Sequence, residues 1–254
     1  MNIRLTLLAA GLSVLATAAK AQTETAAPVP LAAATTVNVG VVSEYRARGL
    51  SQSRFEPALQ AGADYSNGGF YLGTFASTTK WIRDFGGKAN VEVDLYGGYS
   101  AELGGGWSYD LGVLGYFFPD NDLHPSANTA EVYAGLSYGV ARLKFSRTVS
   151  SNFLAVPDSG RSYYIEASAN LELGQGYTLV PHVGHQSISG PNGSDASYSD
   201  ASLTLSKDFK GFTPSLMLVA TNAKRPFYTP GGGGLGDTRS LGRTALVLGL
   251  KYTF

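Results

Sequence analysis

No cysteine occurs anywhere in the 254 residues. That excludes a disulfide scaffold, an iron–sulfur cluster, a thiolate zinc site and a cysteine nucleophile. Neither sign of charge is in excess, with 19 Lys and Arg against 19 Asp and Glu, so there is no basic footprint for nucleic acid. Charge is scarce altogether, at 15% of residues against about 25% in ordinary soluble domains. Beyond Ala18 no apolar run approaches the about 20 residues that a spanning helix needs. Any membrane-spanning form must then be a closed barrel, the only other structure that satisfies its own backbone hydrogen bonds in lipid. What the chain has instead is glycine (32), tyrosine (15) and phenylalanine (12).

The N-terminus reads as an export signal. Met1-Asn2-Ile3-Arg4 is short and positive, Leu5 to Ala18 is an apolar run of 14 residues, and Ala19-Lys20-Ala21 has the form of an A-x-A cleavage site. The expected organisation is a signal peptide at 1–21, a flexible Ala-, Thr- and Pro-rich leader at 22–35, and a transmembrane β-barrel at 36–254.

The remainder alternates with period two. Val91, Val93, Leu95, Gly97 and Tyr99 fall on one face, and Glu92, Asp94, Tyr96 and Gly98 on the other. A helix would scatter those charges, whereas a strand segregates them. The same pattern predicts twelve strands, near 36–45, 58–65, 70–77, 90–99, 107–118, 129–138, 140–148, 161–171, 177–186, 198–206, 212–221 and 244–254. At 70–77 the register stays open, because Tyr71 and Phe75 compete with Phe70 and Leu72 for the outer face. Connections alternate between short (66–69, 100–106, 139, 172–176, 207–211) and long (46–57, 78–89, 119–128, 149–160, 187–197, 222–243). An even strand number with loops sorted by parity is the pattern of an antiparallel outer-membrane barrel with short periplasmic turns and long extracellular loops.

Aromatics orient the wall. Tyr65, Tyr99, Trp107, Tyr109, Tyr138, Tyr177, Phe212 and Tyr252 fall near the short-turn ends of the apolar face, and Tyr45, Phe117, Phe145 and Tyr163 near its other ends. Two aromatic girdles mark a lipid face. The opposite face carries Asn38 and the candidate pore-lining residues Glu44, Arg46, Gln60, Asp64, Glu92, Asp94, Asp110, Glu131, Arg142, Lys144, Glu166, Asp200 and Lys251. So dense a set of charges does not fit a dry core and does fit a water-filled lumen. Leu246, Leu248, Leu250, Tyr252 and Phe254 alternate up to an aromatic last residue, the form of signal that outer-membrane assembly machinery reads.

Five segments also carry a resemblance. Val37 to Gln52 (VNVGVVSEYRARGLSQ), Pro57 to Tyr65 with Gly69 to Ser77, and Val91 to Tyr99 with Glu131 to Leu136 together resemble the TorF-family porins, the Gcw_chp group. Phe75 stands where many members have Trp. The resemblance implies an outer-membrane barrel of the porin kind and implies no particular substrate.

Catalytic and metal motifs are weak. His185 and Ser199 share the outer face of neighbouring strands, as the Ser–His pair of outer-membrane phospholipases does, but no third orienting group is evident. An omptin-like protease would need acids and a histidine converging at the top of the lumen, and His182 and Asp200 are not evidently together. His124 falls in a long loop. Gly231 to Gly234 with Gly236 lack the Gly-Lys-Ser/Thr ending of a phosphate loop. Asp120-Asn121-Asp122 offers too few oxygens for calcium, and Asn192-Gly193-Ser194 reads as turn chemistry. Arg46, Arg48 and Arg54, where the first strand leaves the wall, suggest either a basic rung at the mouth or constriction or pairing with nearby acids, or with lipopolysaccharide phosphates if they point outwards. The expected activity is passive diffusion of small hydrophilic solutes or ions across the bacterial outer membrane, with no catalytic residue, metal or cofactor. A non-conducting structural or adhesive barrel and an outer-membrane hydrolase are the alternatives. Expected partners are outer-membrane lipid and lipopolysaccharide, the assembly machinery and small solutes. Whether loop 222–243 enters the pore is left open.

Overall fold

The computed structural model describes residues 32–230 and 238–254. The predicted leader up to residue 31 and the Gly231–Gly234 run with Gly236 therefore lie outside the described residues. Twelve wall strands follow in chain order. They are β1 (Ala34–Val42), β2 (Ala58–Asn67), β3 (Phe70–Thr78), β4 (Val91–Gly104), β5 (Trp107–Phe117) and β6 (Thr129–Tyr138). Next come β7 (Ala141–Thr148), β8 (Tyr163–Ala169 continuing as Leu171–Gly174), β9 (Tyr177–Ser187), β10 (Tyr198–Lys207), β11 (Phe212–Thr221) and β12 (Ala245–Thr253). Each pairs antiparallel with its chain neighbour, and β12 closes on β1 through Asn38↔Thr253 to Val42↔Gly249. Closure leaves no open sheet edge. Among the described residues no helix is long and apolar enough to cross a membrane.

Side chains alternate as the pleat demands. Along β7 the pattern is strict, with Leu143 and Phe145 outside and Arg142 and Lys144 buried inside. Leu59, Leu111, Leu136, Leu218 and Leu246 stand exposed around the circumference. An apolar surface that runs round the whole molecule is a surface for lipid rather than water.

The open register of β3 is settled by what its side chains can reach. Phe70 and Leu72 point out, while Tyr71 and Phe75 point in. One expected outer-face residue is corrected. β1 ends at Val42 rather than 45, so Tyr45 leaves the wall, becomes fully buried and packs on Phe75 at 5.9 Å between ring centroids.

Dry packing gathers at one end. Trp81, Ile82, Ala89, Phe118, Leu123 and Ala127 form a buried cluster under the 79–90 and 118–128 loops. Phe153, Ile188 and Ala196 form another under the 149–162 and 188–197 loops. Below them the barrel interior carries most of the buried charged and polar side chains, beside one apolar patch of Met217, Val219 and Val247 on β11 and β12.

Candidate functional site: the lumen and its long-loop mouth

Loop 43–57 does not stay at the rim. Arg46–Ala47 pairs with Leu50–Ser51 as a small hairpin, and its turn residues Arg48 and Gly49 have φ of 46° and 79°. A Cβ on Gly49 would lie 2.5 Å from Thr221 Cγ2 and 2.7 Å from Asp200 Cβ, so glycine alone lets the turn press against β10 and β11. Arg46 is buried beside it. Its Nε lies 2.7 Å from Glu44, and its Nη1 donates to the carbonyls of Gly49 (2.9 Å), Leu241 (2.9 Å) and Arg243 (3.0 Å). The described part of loop 222–243 thus props the hairpin, and Ser51 N also donates to Leu241 O at 2.9 Å.

Arg48 reaches the far wall. It donates to both oxygens of Glu131 on β6, at 3.0 and 2.6 Å, to Gln186 Oε1 on β9 at 2.7 Å and to the Tyr116 hydroxyl on β5 at 3.2 Å. Its guanidinium sits 4.4 Å from the Tyr164 ring centroid. A bidentate fork stacked on an aromatic face is the strongest attachment an arginine makes. At its other end, loop 43–57 is tied to the 79–90 loop by Arg54–Asp84 at 3.0 Å and by Thr79 Oγ1 donating to Gln52 O at 2.8 Å. The loop is therefore a strap across the lumen just inside the long-loop end.

The predicted inner residues fall into small networks on the wall. Glu92 accepts from the Tyr45 hydroxyl at 3.0 Å, and Asp94 lies one inward step further along β4, both buried. On β5 and β7, Asp110 takes Arg142 Nη2 at 2.7 Å, and the Tyr71 hydroxyl lies 2.5 Å from both Asp110 and the Tyr133 hydroxyl. Lys144 Nζ lies 4.2 Å over the Tyr133 ring. Tyr96 donates to Asp64 at 2.5 Å. Gln60 Nε2 reaches Ser77 Oγ at 3.4 Å. Lys251 sits partly buried near the short-turn end of β12.

His182 corrects an expectation. Its Nε2 lies 3.0 Å from Glu166 and its Nδ1 3.5 Å from Asp200, and Tyr164 donates to Asp200 at 2.9 Å. Sequence parity placed Glu166 and Asp200 inside but gave no measure of how the barrel's stagger aligns β8, β9 and β10.

The inner tyrosines escaped the list of site residues, although a signal for them exists. In register, Tyr71 faces Gly98, Tyr96 faces Gly73 and Tyr133 faces Gly112. A Cβ at any of the three glycines would lie 2.4 Å from the tyrosine opposite. Each tyrosine occupies the gap left by the glycine opposite; Tyr71 and Tyr96 thereby bring their hydroxyls to Asp110 and Asp64, and Tyr133 brings its hydroxyl to that of Tyr71. Counting Arg48, eight inward acids (Glu44, Asp64, Glu92, Asp94, Asp110, Glu131, Glu166, Asp200) meet five bases (Arg46, Arg48, Arg142, Lys144, Lys251).

Other candidates disperse. Ser199 Oγ and His185 Nδ1 do meet, at 2.9 Å on the outer face, but among the described residues nothing hydrogen-bonds the other ring nitrogen. Asp122 pairs with Lys88 at 2.6 Å, and among the described residues no group of three His, Asp or Glu is placed to hold a metal. Gly193 and Ser194 open the short helix Gly193–Ala196. Leu246, Leu248, Leu250, Tyr252 and Phe254 are all exposed on the outside.

The geometry has relatives among solved structures. The structure described as "KdgM porin in complex with disordered oligogalacturonate" aligns with a TM-score of 0.55 at 10% identity, over 87% of this chain and 99% of that one. OprD from Pseudomonas aeruginosa aligns at 0.38 and 13% identity, over 78% of this chain and 59% of that one. OccD3 (OpdP) of the same organism aligns at 0.40 and 11% identity, over 87% and 65%. No curated protein matches the chain. The family model described as "Bacterial protein of unknown function (Gcw_chp)" matches residues 23–254, and the chain belongs to that family.

Proposed function

We propose that this protein is a bacterial outer-membrane channel of the porin kind, passing small hydrophilic solutes or ions without chemistry. The observation that carries the reading is the closed twelve-strand wall, apolar outside and lined inside by ionisable side chains. In this reading residues 1–21 direct export and are removed, 22–35 form a leader, and the Leu246-to-Phe254 strand is read by the assembly machinery. The long loops face outwards and the short turns face the periplasm. The strap formed by loop 43–57 sets the narrowest point. Selectivity then follows from pore radius and lining charge. KdgM is described with oligogalacturonate, a polyanion. Eight inward acids against five bases favour neutral or cationic solutes here instead. The TorF-type porin label is the finer form of the same reading.

The strap also supports a second reading, a barrel sealed by its own loop and serving as a structural surface protein. Single-channel recording of the pure protein in planar bilayers separates the two. Discrete, ohmic conductance steps are expected. Silent insertion, with barrel folding verified by heat-modifiable migration, would favour the sealed barrel.

A further inference from the structure

The outer face is not uniformly apolar. Arg147 stands exposed on the outer side of β7 at its long-loop end, two residues beyond Phe145. In register it faces Tyr163 of β8, whose ring packs on Phe145 at 5.5 Å. Arg161, also exposed, precedes Tyr163 by two residues. One pair below, Ile165 faces His185 of β9. Ser199 holds the Nδ1 of that ring at 2.9 Å, leaving the second ring nitrogen for a ligand. Among the described residues neither arginine has a carboxylate at ion-pair distance. Immediately below lie the exposed apolar side chains Leu143, Ile165 and Val183.

Cations on a lipid face are costly at mid-depth and nearly free at the interface. Here two guanidiniums and an imidazole gather at that interface, from β7, from β9 and from the turn that leads into β8 between them, above an apolar floor. Arg147 and Tyr163 are direct cross-strand neighbours, about 5 Å apart, and His185 lies one strand further on, opposite Ile165, so the two long arginine side chains have to lean over Tyr163 to share one group with the imidazole. A guanidinium fork matches phosphate oxygens in pairs. A free phosphate would use the cations and leave the floor idle, whereas a phosphorylated lipid uses both.

We propose that Arg147, Arg161, Tyr163 and His185 form a binding site for the phosphorylated headgroup of a membrane lipid, with its acyl chains lying on Leu143, Ile165 and Val183. The orientation put forward under the proposed function makes that lipid the phosphorylated glycolipid of the outer leaflet. The binding site itself does not depend on orientation.

The test uses the full mature protein in detergent, with purified lipid A as the probe, its enzymatically dephosphorylated form as one control and inorganic phosphate as competitor, read by native mass spectrometry. Lipid A should be retained in preference to the dephosphorylated form. The double variant Arg147→Gln/Arg161→Gln should weaken retention about tenfold or more, as expected for losing charge-assisted contacts. Lys207→Gln, at the short-turn end of the outer face, should leave retention unchanged. Equal retention of the dephosphorylated lipid, no loss in the double variant, or displacement by inorganic phosphate at matched concentration would overturn the proposal. Orientation is read separately, by labelling a Ser194→Cys variant in intact cells with an impermeant maleimide, so either idea can fail alone.

Discussion

The two ends of the barrel are built on different principles. At one end five strand pairs turn through short connections, with left-handed glycines such as Gly68 and Gly69 at 58° and 89° and Gly139 at 56°. Packing there is local, and the wall stops where the strands stop. At the other end the connections are long, carry their own buried clusters, and send one hairpin across the lumen to the far wall. The first end is made by pairing neighbours in sequence. The second is made by contacts such as Arg48–Gln186, 138 residues apart. Closing the barrel is thus separable from narrowing it.

Removing residues from each end should expose that separation. The largest effect is expected at the short-turn end. Phe254 is exposed outside, its backbone N–H donates to Val37 O at 2.8 Å, and its ring packs on Tyr252 at 4.9 Å. Its deletion should leave most of the chain unassembled in the periplasm, measured by fractionation and heat-modifiable migration. A normal yield of folded barrel would remove the assembly role given to this strand.

Next in size is the wall itself. Leu111 and Leu218 stand exposed in the middle of their strands. Changing either to Arg should cost about 2–4 kcal/mol in a bilayer-refolding titration. Ser206→Arg, on the inner side of β10, should cost far less and alter conductance. Equal destabilisation by both changes would contradict the assigned faces. Inner glycines are not neutral controls: Gly112→Arg would drive into the Tyr133 ring.

That last point marks where sequence reading stopped. Period-two alternation located every wall strand, with ends within three residues except that β4 runs on to Gly104 rather than stopping at 99, because each strand's pattern is local. The side of the strand on which each charged residue falls was readable for the same reason. Tyr45 was placed on the wrong side because alternation continues past Val42 while the backbone does not. The strap was invisible because nothing near Arg48 in sequence says that its partners are Glu131 and Gln186. The glycine–tyrosine pairs became readable only once register fixed which residue faces which.

A smaller effect is expected from cutting the strap's outer attachment. Arg48→Ala removes the fork on Glu131 and the contact with Gln186, while Arg54–Asp84 and the Arg46 contacts still hold the base. Assembly should be unchanged. Single-channel conductance should rise, or flicker between two levels as the hairpin swings. Conductance identical to wild type, with folding intact, would mean that the narrowest point lies elsewhere.

The finest comparison concerns charge at the strap. Its arginines all meet acids: Arg46 with Glu44, Arg48 with Glu131 and Arg54 with Asp84. Glu92 and Asp94 face the same region from β4, and the hydrogen bond to Glu92 comes from a neutral hydroxyl. Paired charges cancel at a distance, so the passing ion feels mainly the excess of acids. The open channel should prefer K⁺ to Cl⁻ weakly, since rings of Asp and Glu favour cations. The preference should fade between about 0.1 M and 1 M salt, as the screening length falls from about 10 to 3 Å. Arg48→Gln should strengthen it by freeing Glu131, whereas Glu92→Gln should weaken it. Reversal potentials in a KCl gradient read all three. An anion preference in the wild type would place control with Arg142 and Lys144, side by side on β7, and Lys144→Glu should then invert the sign where Arg48→Gln does not.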